Sequence, residues 1–370
     1  MKTEIVKYLQ DCGKMFFISA TGGGTSFIGE FLKTSGGSKC IAGGYIPYAI
    51  EATNQFVGGK LDKYADGNAA RKLAVASFEQ CIKLNIKSDT NCVGVGIACS
   101  LVKDNERIGR EHQISIAIHT YDKTTGVTVV LKHSRLNRIE EENFVNDLTL
   151  FLLYKEFSGK LPDREWENEH RCVFMMNDGY VDHYNNTSRI QSSLVYSEDF
   201  FTVRKQETLV IYPGSFNPLH HGHIEIHNLA EKITGLPVYY ELSVINSYKP
   251  QMDYTDLEKR YSNFKFHNLE KQLLITKSPR FVDKINTLKS VFNPKQIIIV
   301  VGADTWERVY DATAHKNGDI KFFEDNNIKF LVFGRNSEII KNQDSPLFLK
   351  SEIALNYSNS ISSSELRRKK

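Results

Sequence analysis

Gly214-Ser215-Phe216-Asn217-Pro218-Leu219-His220-His221-Gly222-His223 follows directly on the apolar run Leu209-Val210-Ile211-Tyr212. The run reads as a buried strand, the Gly/Pro-rich stretch as a tight turn, and residues 224–233 as a helix leaving it. A strand feeding such a turn aims free backbone N–H groups and the positive end of a helix dipole at one point, which suits an anion. His220 and His223 lie three residues apart at the mouth of the helix, so both rings can face the same way. His221 lies between them and is given no role.

The same alternation continues downstream. Strands are expected at 209–212, 238–245, 273–276, 296–302 and 329–333, with helices at 222–233, 256–269, 280–291 and 304–310. Units of this kind build a doubly wound parallel sheet with ligands at the C-terminal strand ends. Upstream, Met15-Phe16-Phe17-Ile18 is a candidate strand, followed by a Gly-rich turn and a helix through Phe27, Ile28, Phe31 and Leu32. Residues 68–84 have helical apolar spacing and 92–102 read as a buried strand. Alternation at Ile114, Ile116, Ile118 and at Val127, Val129, Leu131 predicts a hairpin turning through Lys123-Thr124-Thr125-Gly126. A helix over 140–157 places Phe144, Leu148, Phe151 and Leu152 inward. Polar residues 158–170 include Pro162 and read as a linker, and 172–204 carries strand-like pieces at 173–176, 192–196 and 200–203. The fold class is α/β in two domains, 1–160 and 208–370, with 161–207 open in assignment.

With 41% hydrophobic and 25% charged residues, the 370-residue chain has the composition of an ordinary soluble protein long enough for two cores. The net charge of +3 and the short basic run Arg367-Arg368-Lys369-Lys370 do not argue for nucleic acid. No apolar segment is long enough to span a bilayer, and the first residues lack the apolar core of a signal peptide. Six cysteines without C-x-x-C spacing suggest neither zinc nor a redox pair. The chain is therefore read as cytoplasmic, without nucleic-acid or membrane partners and without a protein-bound metal, and a homo-oligomer is expected.

Ile361-Ser362-Ser363-Ser364-Glu365-Leu366-Arg367 answers the first stretch at the other end of the domain. Its S-x-x-E spacing is that of a capping box starting a helix near Ser363, whose N–H groups, hydroxyls and Arg367 guanidinium suit phosphates. Together the two stretches resemble the signatures of the HIGH-type nucleotidyltransferases, with a Rossmann-like parallel sheet. The resemblance implies that His220 and His223 stabilise charge on the α-phosphate and that Gly214, Ser215 and Phe216 form the nucleotide turn. It assigns the outer phosphates to Ser363, Ser364 and Arg367. Gly302-Ala303-Asp304 resembles the GAD element of nicotinamide-mononucleotide adenylyltransferases, and Val332-Phe333-Gly334-Arg335 their arginine-bearing strand end. Ser247-Tyr248-Lys249-Pro250 resembles their lysine loop, so Gly302, Asp304, Arg335 and Lys249 join the expected nucleotide contacts. The implied substrates are ATP, with Mg2+ on its triphosphate, and a small phosphorylated acceptor. His220 and Arg367, where the pantetheine-phosphate branch has Thr and Lys, favour adenylyl transfer to a nicotinamide or nicotinate mononucleotide, as in NAD biosynthesis. So does Asn359-Ser360-Ile361-Ser362-Ser363, where the cytidylyl branch has R-T-x-G-I-S-T. Trp306 lies early for an aromatic that stacks on the pyridine ring, and reads as a packing or lid residue.

Ser19-Ala20-Thr21-Gly22-Gly23, with Gly36-Gly37-Ser38, Gly43-Gly44 and Tyr48, resembles the nicotinamide-nucleotide amidase family, the CinA C-terminal domain. The resemblance extends over residues 14–157 and makes Ser19, Thr21, Gly22, Gly23 and Tyr48 a ligand site, with Ser19 as nucleophile. Such a serine needs a base, and the family lysine five residues after the tyrosine is here Thr53, which cannot take a proton. The amidase-like domain is thus expected to be inactive. The alternatives are a bifunctional enzyme drawing its base from Lys14 or Lys60, or a ligand-sensing or oligomerisation module.

Overall fold

Alternation along Cys92–Ser100 (β3) divides the first sheet into two faces. Val93, Val95, Ile97 and Cys99 point into a core with Phe144, Leu148 and Leu153 of the Arg138–Ser158 helix. Gly94 and Gly96 point the other way, where a Cβ would lie 1.9 Å and 2.1 Å from the carbonyls of Ala74 and Ala70. The glycines let the Gly67–Lys83 helix sit directly on the strand. The remaining strands of this sheet are Met15–Thr21 (β1), Ile41–Tyr45 (β2), His112–His119 (β4), Lys123–Leu131 (β5) and Tyr180–Thr187 (β6). Their order is β2-β1-β3-β4-β5-β6, with β1 parallel to β2 and β3 and the rest antiparallel.

These elements belong to a computed structural model that describes residues 2–103, 111–131, 136–161, 180–187, 195–245, 249–310, 319–334 and 340–357. The chain divides into two units, Met1–Gln191 with Tyr248–Asp256, and Ser192–Ser247 with Leu257–Lys370. In the second unit the strands are Val195–Tyr196 (β7), Thr208–Pro213 (β8), Val238–Ser243 (β9), Leu273–Thr276 (β10), Gln296–Gly302 (β11), Ile328–Phe333 (β12) and Phe348–Leu349 (β13). Their order is β13-β12-β11-β8-β9-β10-β7, and all neighbours are parallel except β7, which runs antiparallel to β10. Numbered along the chain, the six parallel strands stand in the order 3-2-1-4-5-6 of the dinucleotide-binding fold. Strand order reverses between β8 and β11, which opens a crevice beyond their C-terminal ends. The α/β class and the Rossmann-like parallel sheet thus agree with the sequence.

Two local expectations are corrected. The β4–β5 hairpin turns at Thr120–Asp122, and Lys123-Thr124-Thr125-Gly126 lies inside β5, paired with β4. Thr120 forms this turn: its N–H donates to the Lys123 carbonyl (2.9 Å), and its hydroxyl donates to Asp122 (2.8 Å) and accepts from the Lys123 N–H (3.2 Å). Phe200–Arg204 is a short helix, not a strand: the Asp199 carbonyl accepts from the N–H groups of Thr202 (3.1 Å) and Val203 (3.2 Å), which closes the first turn. The strand expected at 173–176 lies outside the described residues.

Candidate active site

Gly214 leaves β8 at the switch point with its N–H donating to the Glu241 carbonyl at 3.0 Å. Phe216 then takes a left-handed φ of +44°, an unfavourable conformation for a bulky residue. Its ring is buried edge-on against Tyr212, Tyr240, Phe264 and His223, with centroids 5.1–5.6 Å away, and this packing holds the backbone in that conformation. A Cβ on Gly214 would lie 2.5 Å from the same ring, so the glycine lets the ring fold back under the turn. Ser215 is fixed from outside, its carbonyl accepting from Arg260 Nη1 at 2.8 Å.

The helix that follows spans His221–Thr234, with His220 as its N-cap. The rings of His220 and His223 stack with centroids 3.7 Å apart. His220 N–H donates to His223 Nδ1 at 3.3 Å, so Nδ1 carries no proton and the neutral ring holds its hydrogen on Nε2. Burial, and then the neighbouring His220, push the His223 pKa down to about 3. His223 is therefore a neutral hydrogen-bond donor at physiological pH. His227, a turn further on, is a packing histidine: its Nε2 donates to the Val238 carbonyl at 2.8 Å and its ring stacks on Tyr240 at 4.5 Å.

Gly302 ends β11, the neighbour of β8, and caps the Ala303–Val309 helix. Asp304 in its first turn is exposed. Burial, and then Tyr357 and Asp304, push the Tyr212 phenol up. Tyr357 also packs on Phe333 at the end of β12 and donates to Glu225 Oε2 at 3.0 Å on the histidine helix. Gly214, Ser215, Phe216, His220 and His223 thus follow the end of β8, and Gly302 and Asp304 lie at the end of the neighbouring β11. Trp306 is fully buried, donating to the Lys341 carbonyl at 2.9 Å, and is a packing residue and not a lid. Arg260 and Tyr357 were not picked out from the sequence. Tyr357 stands just ahead of the serine-rich motif, whereas nothing local marks Arg260. Arg335, Ser363, Ser364 and Arg367 lie outside the described residues. Lys249 falls in the first unit, where neighbouring Pro250 packs on Gly59.

With this geometry in place, comparison with known proteins bears on the second unit. Residues 211–369 match the family described as Cytidylyltransferase-like. The match takes in the β8 strand end, both histidines, the β11 strand end and the C-terminal motif. No curated protein matches the chain. Similar solved structures include a competence-damaged protein (CinA) superfamily protein from Enterobacter cloacae, 13% identical over 42% of this chain and 90% of that one, with a TM-score of 0.34. Another is a competence or damage-inducible protein from Enterobacter asburiae, 13% identical over 43% and 98%, with a TM-score of 0.34. A third is the competence/damage inducible protein CihA from Agrobacterium tumefaciens, 10% identical over 41% and 93%, with a TM-score of 0.29.

The first unit treats its expected ligand site differently. Ser19 is 0% exposed inside β1, paired with β2 and β3, and its oxygen accepts from the Ser77 hydroxyl at 2.8 Å and lies 3.3 Å from the Leu73 carbonyl. Tyr48 is 65% exposed, and Thr53 is buried with its hydroxyl donating to the Pro47 carbonyl at 2.6 Å. The glycine turn is filled from within: Glu142 accepts from Gly24 N–H (2.8 Å), Ser26 N–H (3.1 Å) and the Ser26 hydroxyl (3.0 Å). Burial opposes the Glu142 charge, but those N–H groups outweigh it and hold its pKa below the usual range. Gly22 and Gly23 pack on β3, where a Cβ would lie 1.9 Å from the Cys99 carbonyl and 2.5 Å from Leu101. Thr21, at the end of β1, is buried as well.

Proposed function

We propose that the second unit transfers an adenylyl group from ATP to the phosphate of a nicotinamide or nicotinate mononucleotide, with release of pyrophosphate. An acceptor phosphate oxygen attacks the α-phosphorus. The bond from that phosphorus to the bridging oxygen breaks, and pyrophosphate leaves with the electron pair. No protein nucleophile is required, so the protein's part is positioning and charge stabilisation. The observation that carries this reading is the stacked His220–His223 pair at a helix N-terminus on the switch point. Its Nε2–H donor and the first free N–H groups of the helix supply hydrogen bonds where α-phosphate charge grows. Among the described residues no group of three or more His, Cys, Asp or Glu is arranged to hold a metal ion. Magnesium is assigned to the substrate, carried on the triphosphate oxygens.

The test is pyrophosphate release from a matrix of ATP and CTP against several phosphorylated acceptors. The reading expects turnover with ATP and a pyridine mononucleotide. Turnover only with CTP, or only with a non-pyridine acceptor, would reassign the substrates while keeping the reaction class. We further propose that the first unit has no amidase activity, on the ground that Ser19 is sealed under the Gly67–Lys83 helix and bonds to no basic side chain among the described residues.

A further inference from the structure

We propose that the first unit contains a receptor for an acidic turn, built on Arg71 and Lys72, and that its ligand is the chain's own Asp253-Tyr254-Thr255-Asp256. The segment Tyr248–Asp256 is separated by more than fifty residues of sequence from the rest of its unit. It is nonetheless held by contacts of every kind. Lys72 spends its three ammonium donors on Asp253 Oδ2 (2.8 Å), Asp256 Oδ2 (2.7 Å) and the Gln251 carbonyl (3.0 Å). Arg71 donates through Nε to Asp253 Oδ1 at 3.1 Å and through Nη2 to Asp256 Oδ1 at 3.4 Å.

Two cations thus face two carboxylates, and Asp253 is 0% exposed. Its burial opposes ionisation, but Lys72 and Arg71 overcome that and hold the carboxyl far below its usual range. The turn is also read by shape. Tyr254 stacks on His119 at 4.9 Å, donates its hydroxyl to the Tyr121 carbonyl at 2.8 Å, and donates its N–H to Thr124 Oγ1 at 3.2 Å. Thr255 Oγ1 accepts from Asn186 at 3.0 Å, and Gln251 donates to Glu79 at 3.3 Å. Asp253 Oδ1 in addition accepts from the N–H groups of Thr255 and Asp256, which folds the segment into one turn. A buried ion pair adds little net stability over an apolar pair, but removing one partner leaves the other charge buried and uncompensated. An acidic D-x-x-D turn with an aromatic second residue meets every requirement, and a neutral one leaves two buried cations uncompensated.

The inference is independent of the transferase reading, and its test does not use turnover. In the full-length chain, Asp253→Asn with Asp256→Asn should accelerate amide exchange about tenfold or more in Gly67–Lys83, β4 and β5, while β11 and β12 exchange as in the wild type. A synthetic peptide of residues 249–258 added in trans should restore protection to this variant, and the same peptide with Asn at both aspartates should not. Unchanged exchange would overturn the proposal. So would equal acceleration in both units, because the network would then serve the whole chain and not one recess. If the doubly substituted chain does not fold, the single variant Asp256→Asn, at the partly exposed edge, takes its place under the same criteria.

Discussion

His223 carries the main residue-scale expectation. Its folded pKa of about 3 lies below the ordinary 6.5, so the unfolded chain binds more protons across that interval. The contribution of His223 to stability is therefore complete above pH 6.5 and is lost as the pH falls toward 3. His223→Gln should flatten the acid limb of a melting-temperature series in that window, and a parallel limb would mean that His223 is protonated in the fold. Under the proposed reaction, His220→Ala and His223→Ala should each lower turnover by roughly two orders of magnitude at a temperature where circular dichroism shows both variants folded. Near-normal turnover in both would remove them from catalysis. Arg367→Ala should raise the ATP requirement well above that for the acceptor, because the departing phosphates are the ones assigned to it. Steady-state kinetics with each substrate varied in turn decides this. The closeness of His220 and His223 was legible in the sequence because the spacing of H-x-G-H across a helix start already puts both rings on one side. The tautomer was not, since it depends on the His220 backbone N–H finding Nδ1.

At the scale of elements, two glycines that look alike in sequence have different tasks. Gly22 has φ +74°, and a Cβ there would lie 1.9 Å from the Cys99 carbonyl, so Gly22→Ala should cost roughly 2–5 kcal/mol from backbone and overpacking together. Gly302 has an ordinary φ of −80°, and a Cβ would meet only the exposed Asp304 carboxylate at 2.9 Å. Gly302→Ala should leave stability within about 0.5 kcal/mol, yet reduce turnover about tenfold if the nucleotide passes close to this strand end. Thermal denaturation and turnover measured on the same preparations separate the two cases, and equal destabilisation by both would show that strand-end packing had been misjudged. Most strands and helices were readable from apolar period alone. The exceptions, the Thr120–Asp122 turn and the Phe200–Arg204 helix, are short elements that a few local hydrogen bonds define and no apolar period marks.

At the scale of the molecule, the two units carry opposite outcomes for two serine- and glycine-rich turns. The 370-residue chain should release no ammonia from nicotinamide mononucleotide, and Ser19→Ala should be indistinguishable from wild type, because the hydroxyl is enclosed and bonds to no basic side chain among the described residues. Ammonia release that disappears in Ser19→Ala would show that the strand opens to admit substrate. The order of apolar runs and turns along the chain was sufficient to specify an α/β architecture and a parallel second sheet, because burial on both faces demands continuous apolar strands. It also located the His220–His223 turn, since that chemistry is local in sequence. Whether the first glycine turn could bind anything was decided only by the tertiary structure, which brings Glu142 from 118 residues away onto the Gly24 N–H. The same holds for Asp253, whose charge is stable in a buried place only because Arg71 and Lys72, distant in sequence, surround it. Local patterns record which groups a segment offers, whereas the partner that satisfies a buried charge is chosen by chain-distant packing.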